Sequence, residues 1–289
     1  MAESRLYSGG KYLVPTALIF VVFGIIPVLW VAKNSLYYWS AFGLTGKQFI
    51  GIENFAKIVN TPLHINSTAR TLLFVGTALL VEMPLGLGIA VLLNRAFFAE
   101  RTVRSLLVLP LTIPPVAVGS VFLLLLRADI GLVPEVLGRI GITYQLGQNE
   151  LHAWIGMIAM DAWHWTPLVA LIFLAGLTSV PPSLIESARI DGATSWEIFR
   201  HIQLPHLRTV GLVALLIRVM DLFRVYDSVW VLTGGGPGKA TTLLNIDIVR
   251  TVVSGTQYGI GSALSLFGLY IIVVISWFMV NSIHQEVLG

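Results

Sequence analysis

The sequence predicts an all-α, polytopic membrane protein with six transmembrane helices and a pair of short water-soluble helices on the cytoplasmic side. Three observations carry this reading. Of 289 residues, 56% are hydrophobic and only 11% are charged, against roughly 25% charged in an ordinary soluble domain. A soluble fold of this length has too little interior for so many apolar side chains, so the bilayer must solvate much of the chain. Six stretches are long and apolar enough to span, since a bilayer needs about 20 apolar residues per helix. Between the fourth and fifth, the segment Pro181 to Pro205 is instead rich in charge and in helix start signals.

The spans fall near 12–32, 70–93, 105–126, 152–174, 207–232 and 262–283. The first follows Arg5 and Lys11, but its apolar run is too long for a signal peptide and no small-residue cleavage site follows. The second carries Gly86 and Ala90, whose spacing permits close helix contact. It also holds Pro84 and an intramembrane carboxylate, Glu82, read as a hydrogen-bonding group on a packing face. Pro110, Pro114 and Pro115 are positioned to kink the third, and backbone freed by a kink must be satisfied inside the bundle. The fourth supplies Asp161, Trp163, His164, Trp165 and Thr166; charges interrupt the fifth; the sixth is uncharged from Leu264 to Val280. Residues 1–69 are thus the N-terminal tail, first span and outer loop. Residues 70–283 form the transmembrane core, with the helix pair at 182–203, and 284–289 form a short cytoplasmic tail.

Lys and Arg concentrate in short cytoplasmic loops. Arg95, Arg101 and Arg104 crowd the connection between spans two and three, and Arg189, Arg200 and Arg208 surround the polar segment. With Arg5 and Lys11 these regions share one side of a six-span chain, which places both termini and the helix pair in the cytoplasm. Within the pair, Pro181 and Pro182 stop the preceding span and suit a helix start. Ser183 with Glu186, and Thr194 with Glu197, have capping-box spacing. Gly192 lies between them, where a turn needs a permissive backbone, and Pro205 is expected to end the second helix. Ala188 and Ala193 are small enough to let a partner approach, while Ile185, Trp196 and Phe199 add apolar surface. On these residues alone, a plain surface connector and a partner-docking element both remain open.

Several chemistries are excluded or unsupported. The absence of cysteine removes disulfides, thiolate metal sites and a cysteine nucleophile. A net charge of +3, spread along the chain, argues against nucleic acid. His201 and His206 lack a metal-ligand spacing, and no nucleophile with its base is present. Gly234-Gly235-Gly236-Pro237-Gly238-Lys239 superficially suggests a P-loop, but Thr233 stands where the first Gly belongs and Ala240 follows the Lys, so it reads as an outer turn. Ionisable residues inside spans are costly and functional by default. Arg218, Asp221 and Arg224, three residues apart, are expected on one face of span five, with Asp227 three further on. They serve equally as a salt-bridge ladder orienting the span or as part of a solute path. Trp163 and Trp165 serve equally as interfacial belt residues or as sugar-stacking faces.

Glu186-Ser187-Ala188, then Gly192, then Ile202-x-Leu204-Pro205 resembles the EAA signature of permease subunits in ABC importers, with the family's spacing throughout. Ser187 stands where the family most often has Ala, and both are small. Gly51-Ile52-Glu53-Asn54-Phe55, Leu109-Pro110-Leu111-Thr112-Ile113-Pro114-Pro115 and Leu232-Thr233-Gly234-Gly235-Gly236-Pro237-Gly238 are similar to stretches of the carbohydrate-uptake members. These include the maltose, trehalose and glycerol-phosphate importer permeases.

The resemblance implies a type I ABC importer permease. Its coupling helices would engage an ATPase dimer through Glu186, Ser187, Ala188, Gly192, Ala193, Leu204 and Pro205, with Arg189 and Asp191 pairing with charges on that partner. It implies a second permease in a heterodimer, an extracytoplasmic sugar-binding protein, and no cofactor on this chain, ATP and magnesium being held by the ATPase. The membrane would be the bacterial or archaeal inner membrane. Registering the motifs places the sugar path near Trp163, His164, Trp165, Arg218, Asp221, Arg224 and Val225, by location rather than by matched chemistry. A secondary transporter driven by an ion gradient is the alternative, and it leaves the capped helix pair without a purpose.

Overall fold

The computed structural model describes residues 13–41, 46–95 and 100–288, so Arg5 and Lys11 lie outside the described residues. Among the described residues the regular elements are helices apart from one two-stranded ribbon. It divides into two units, one of the described residues up to Asn66 with Asp247–Tyr270, the other of Ser67–Ile246 with the residues from Ile271.

In the first unit, α1 (Leu13–Ser35) is long and apolar enough to cross a bilayer. β1 (Tyr37–Tyr38) pairs antiparallel with β2 (Gln48–Phe49), and α2 (Glu53–Asn60) follows. The buried Asn54 ties these pieces together, its Nδ2 donating to the carbonyls of Ser35 at 2.8 Å and Tyr37 at 2.9 Å. His64 Nδ1 and Asp247 Oδ2 lie 2.8 Å apart, both buried.

The second unit holds most of α3 (Pro62–Leu93), then α4 (Glu100–Val108), α5 (Pro115–Leu126), α6 (Leu132–Arg139) and α7 (Glu150–Thr178). The polar pair follows as α8 (Pro182–Ile190) and α9 (Ser195–His206), then α10 (Arg208–Leu222) and α11 (Asp227–Thr233). The chain closes with α12 (Leu244–Val249) and α13 (Tyr258–Leu288). Thus α3 starts inside the expected outer loop, Pro84 sits within an uninterrupted helix, and α13 carries on through residues 284–288.

Two expected spans are not simple rods. The third is broken by 97° between Arg101–Thr112 and Pro115–Leu126. Pro110, Pro114 and Pro115 remove three amide donors within six residues, so the helix cannot continue through them. The fifth, expected over 207–232, stops at Leu222 and resumes as α11 after a non-helical turn at 223–226. At about 1.5 Å per residue, the 12-residue α5 and the 15-residue α10 reach roughly 18 and 22 Å, short of the ~30 Å hydrocarbon core. Backbone without helical partners survives at membrane depth only where protein or a water-filled cavity satisfies it. The turn after α10 meets that condition: Phe223 is buried, and its carbonyl accepts from Asn245 Nδ2 at 2.9 Å.

The broken pieces lean on each other. A Cβ at Gly119 of α5 would lie 2.7 Å from the Ser228 carbonyl of α11, so only glycine allows this approach. A Cβ at Gly86 of α3 would lie 2.6 Å from Val169 Cγ1 of α7, the close contact expected from the small residues of span two. One apolar cluster centres on Phe74, Met157, Met160, Leu222 and Val229; a second joins Ala90, Val169, Phe173, Leu177 and Leu207 near the helix pair. Gly86→Val should therefore lower stability by about 1–3 kcal/mol through overpacking. Gly88→Ala, whose Cβ meets nothing within 4 Å, should not. Thermal unfolding of the detergent-solubilised chain distinguishes the two, and an unchanged Gly86→Val would refute the tight α3–α7 contact.

Candidate functional site

The polar helix pair is built around one turn. α8 begins at Pro182, with Pro181 as its N-cap and no side-chain cap, so the expected Ser183–Glu186 capping box does not form. Pro182 occupies the first helical position, where its missing N–H costs nothing, and this moves the start one residue ahead of Ser183. The helix ends in a Schellman motif. The Ala193 N–H donates to the Ala188 carbonyl at 2.9 Å and the Gly192 N–H to the Arg189 carbonyl at 3.1 Å. This closure needs a left-handed residue, and Gly192 supplies it with φ +82°. Ala188 and Gly192 of the EAA signature thus belong to one hydrogen-bonded turn that runs from Ala188 to Ala193.

α9 starts with the expected capping box. Glu197 N–H donates to Thr194 Oγ1 at 3.3 Å, and Thr194 N–H and Oγ1 both donate to Glu197 Oε2 at 2.7 Å. These donors hold the Glu197 carboxyl below its ordinary range. Pro205 does not end α9. A π turn over Phe199–Gln203 widens the helix and accommodates the ring; the helix continues to His206 and bends 60° at Leu207 into α10. The buried Leu207 anchors that bend in the second apolar cluster. Ser179 Oγ lies 3.1 Å from His206 Nε2, which links the start and end of the whole excursion. Glu186, Ser187, Arg189, Asp191, Gly192, Leu204 and Pro205 are exposed, with Ala188 and Ala193 half-buried beside them.

A second constellation lies among the spans. Arg218 of α10 is fully buried. Its Nε donates to Glu82 Oε2 at 2.7 Å and its Nη2 to Glu82 Oε1 at 3.0 Å, a bidentate pair; Nη2 also donates to Asp161 Oδ2 at 2.7 Å. Nη1 has no hydrogen-bond partner among the described residues; the half-exposed Asp221 stands 3.7 Å away. The Trp165 ring centre lies 5.1 Å from the guanidinium carbon, within cation–π range. His164, also buried, donates from Nε2 to the Ile113 carbonyl at 3.2 Å, satisfying backbone at the third-span break.

Of the residues expected along the sugar path, the structure therefore gathers Trp165, Arg218 and Asp221. Trp163 is 46% exposed and meets the Phe122 ring at a tilt of 53° instead. Arg224 does not share a helical face with Arg218 and Asp221, because α10 has already ended; it and Asp227 are exposed and form no ion pair among the described residues. Val225 packs against the first apolar cluster. The expected ladder within span five is replaced by a cluster between helices. Glu82 is half of a buried ion pair, and no residue spacing within one span announces that. The available signal was simpler: three apolar spans each hold an ionisable residue, and such residues pair.

Residues 82–284 match the family described as binding-protein-dependent transport system inner membrane component, and the chain belongs to it. It is 33% identical over 280 residues to the trehalose/maltose transport system permease protein MalF of Thermococcus litoralis, covering 96% of this chain and 92% of that protein. It is 31% identical over 255 residues to the sulfoquinovosyl glycerol transport system permease protein SmoG of Agrobacterium fabrum, covering 88% of this chain and 83% of that one. The fold is similar to a chain in the crystal structure of a bacterial ABC transporter involved in import of the acidic polysaccharide alginate. The TM-score is 0.84 and the identity 24%, over 98% of this chain and 96% of that chain. The protein is a permease subunit of an ABC importer in the inner membrane, not itself an enzyme, and the ion-gradient alternative is set aside.

Breaking a buried ion pair by removing one partner costs about 3–5 kcal/mol, whereas replacing the whole group by well-packed hydrophobic residues of similar volume is often close to neutral. Arg218→Met should accordingly lower stability by roughly that amount, because it strands Glu82 and Asp161. Combining it with Glu82→Met and Asp161→Leu should recover most of the loss. Thermal unfolding in detergent provides the readout; an Arg218→Met variant as stable as the parent would show that the cluster holds nothing together.

Proposed function

We propose that this permease carries a sugar or related glycoside, driven by a separate ATPase that grips α8 and α9. The observation that carries the reading is the exposed Schellman turn at Ala188–Ala193, between two spans that share a buried ion cluster. A coupling lever must be stiff, and this one is capped, closed by glycine, and joined to the ends of α7 and α10 through Pro181, Ser179–His206 and Leu207. The similarity to trehalose/maltose and sulfoquinovosyl glycerol permeases supports a glycoside as solute.

In this reading Glu186, Ser187, Ala188, Gly192, Ala193, Leu204 and Pro205 face the ATPase dimer, and Arg189 and Asp191 pair with its charges. ATP and magnesium sit on that partner, and closure of the dimer pulls α8 and α9, and with them α7 and α10. A second permease completes the passage as a heterodimer, and an extracytoplasmic binding protein delivers the sugar. The excess of Arg around α8, α9 and the 95–104 connection supports a cytoplasmic position for the lever and for both termini. Residues 70–283 are the transporting core, with 1–69 preceding it and 284–289 a short tail. Asp221 lines the path: among the described residues it is the one carboxylate beside Arg218 that reaches the surface, and a half-exposed charge within a span faces water or a partner in preference to lipid.

Gly192→Pro cannot adopt φ +82° and should open the turn. Uptake into proteoliposomes should fall at least tenfold and substrate-stimulated ATPase activity should vanish, while the binding protein keeps its affinity for sugar. Normal uptake by this variant would remove the lever. Asp221→Asn should change the solute concentration for half-maximal uptake by several-fold with little loss of thermal stability, since Glu82 and Asp161 still neutralise Arg218. If uptake and substrate-stimulated ATPase activity are both unaltered, Asp221 is outside the path.

A further inference from the structure

Beneath the helix pair, the ends of α3 and α7 and the inner sides of α8 and α9 enclose a groove of about 1280 Å³. This exceeds the roughly 300–1,000 Å³ of a site for a drug-sized ligand. Its floor is apolar, formed by Leu87, Val91, Leu177, Ile185 and Phe199. Two exposed cations, Arg95 and Arg189, stand on its lining, and neither is in an ion pair among the described residues. Glu186 is the one carboxylate there. The groove opens where two apolar spans end, at Leu93 and Thr178, so it lies where hydrocarbon gives way to water. Arg104 is drawn to the same place, its Nη2 donating to the Leu93 carbonyl at 3.1 Å.

We propose that this groove binds an anionic phospholipid of the cytoplasmic leaflet. Its acyl chain lies along Leu87, Val91 and Leu177, and its phosphate lies between Arg95 and Arg189. The two features argue jointly. A soluble anion would leave the apolar floor unused, and a zwitterionic lipid would leave an excess cation without a partner. Basic pockets between spans on the cytoplasmic side suit anionic headgroups, at about 1 kcal/mol per Lys or Arg near the surface. The lipid fills the space under the lever and meets its turn only at Arg189, whose five N–H donors can serve the phosphate and an ATPase carboxylate together, so it would stiffen α8 and α9 against the spans. The inference rests on the cytoplasmic placement proposed above. The test reads binding directly, so its outcome is separable from that of the coupling variants.

The full-length chain in detergent is titrated with phosphatidylglycerol or phosphatidylcholine carrying brominated acyl chains. Fluorescence of Trp196, which lines the groove, is isolated as the difference between the parent and Trp196→Phe. Phosphatidylglycerol should quench it at clearly lower concentration than phosphatidylcholine. Arg95→Gln should raise the midpoint about five-fold, and Arg95→Lys should restore it. At Gly88, which lines the groove and whose Cβ position has no atom within 4 Å, Gly88→Phe fills the floor and should abolish the quench with the fold intact by thermal unfolding. Equal quenching by the two lipids, or a preference that survives Gly88→Phe, overturns the proposal. So does loss of the quench when the ATPase joins the assembled importer, which would assign the groove to that protein.

Discussion

A guanidinium held out of water between two carboxylates organises the centre of this permease. Arg218, Glu82 and Asp161 come from three different spans, and each would be prohibitive in hydrocarbon alone. Together they exchange Coulomb attraction and three charge-assisted hydrogen bonds for lost hydration. Because the bidentate geometry with Glu82 tolerates little displacement, α3 and α10 are held in register where apolar packing by itself would let them slide.

The same spans lead to the polar helix pair. α7 runs from Asp161 to Thr178 and then into α8; α10 runs back from Leu207 to Arg218. The Schellman turn at Gly192 and the bend at Leu207 therefore lie at one end of two helices whose middles meet at the arginine. Only the three residues 179–181 on one side and the bend at Leu207 on the other separate the helix pair from the spans that carry the ion cluster. The prolines at 110, 114 and 115 and the turn at 223–226 do the opposite: they break two spans where backbone is covered by protein, which keeps short helices beside the cluster.

Much of the helix pair was legible because its signals are local. Thr194 with Glu197 caps a helix through atoms three residues apart, and Gly192 marks a left-handed position whatever surrounds it. Ser183 and Glu186 show the limit of such signals: the spacing is right, but Pro182 begins the helix a residue earlier and the box is left unmade. Pro205 likewise reads as a stop, while the π turn before it lets the helix pass.

The sequence by itself determined the class, the long apolar spans and the spacing of the EAA signature, because hydropathy and chain-local hydrogen bonds depend only on order along the chain. The partner of Arg218 could not be read that way. Asp221 and Arg224 are its neighbours in sequence, yet Glu82 lies 136 positions away and Asp161 57. Only the packing of α3 and α7 against α10 decided between them, since a buried charge pairs with whatever opposite charge the fold brings within hydrogen-bond reach. The end of α10 at Leu222, which puts Arg224 outside the cluster, was decided in the same way, by a buried carbonyl that found Asn245.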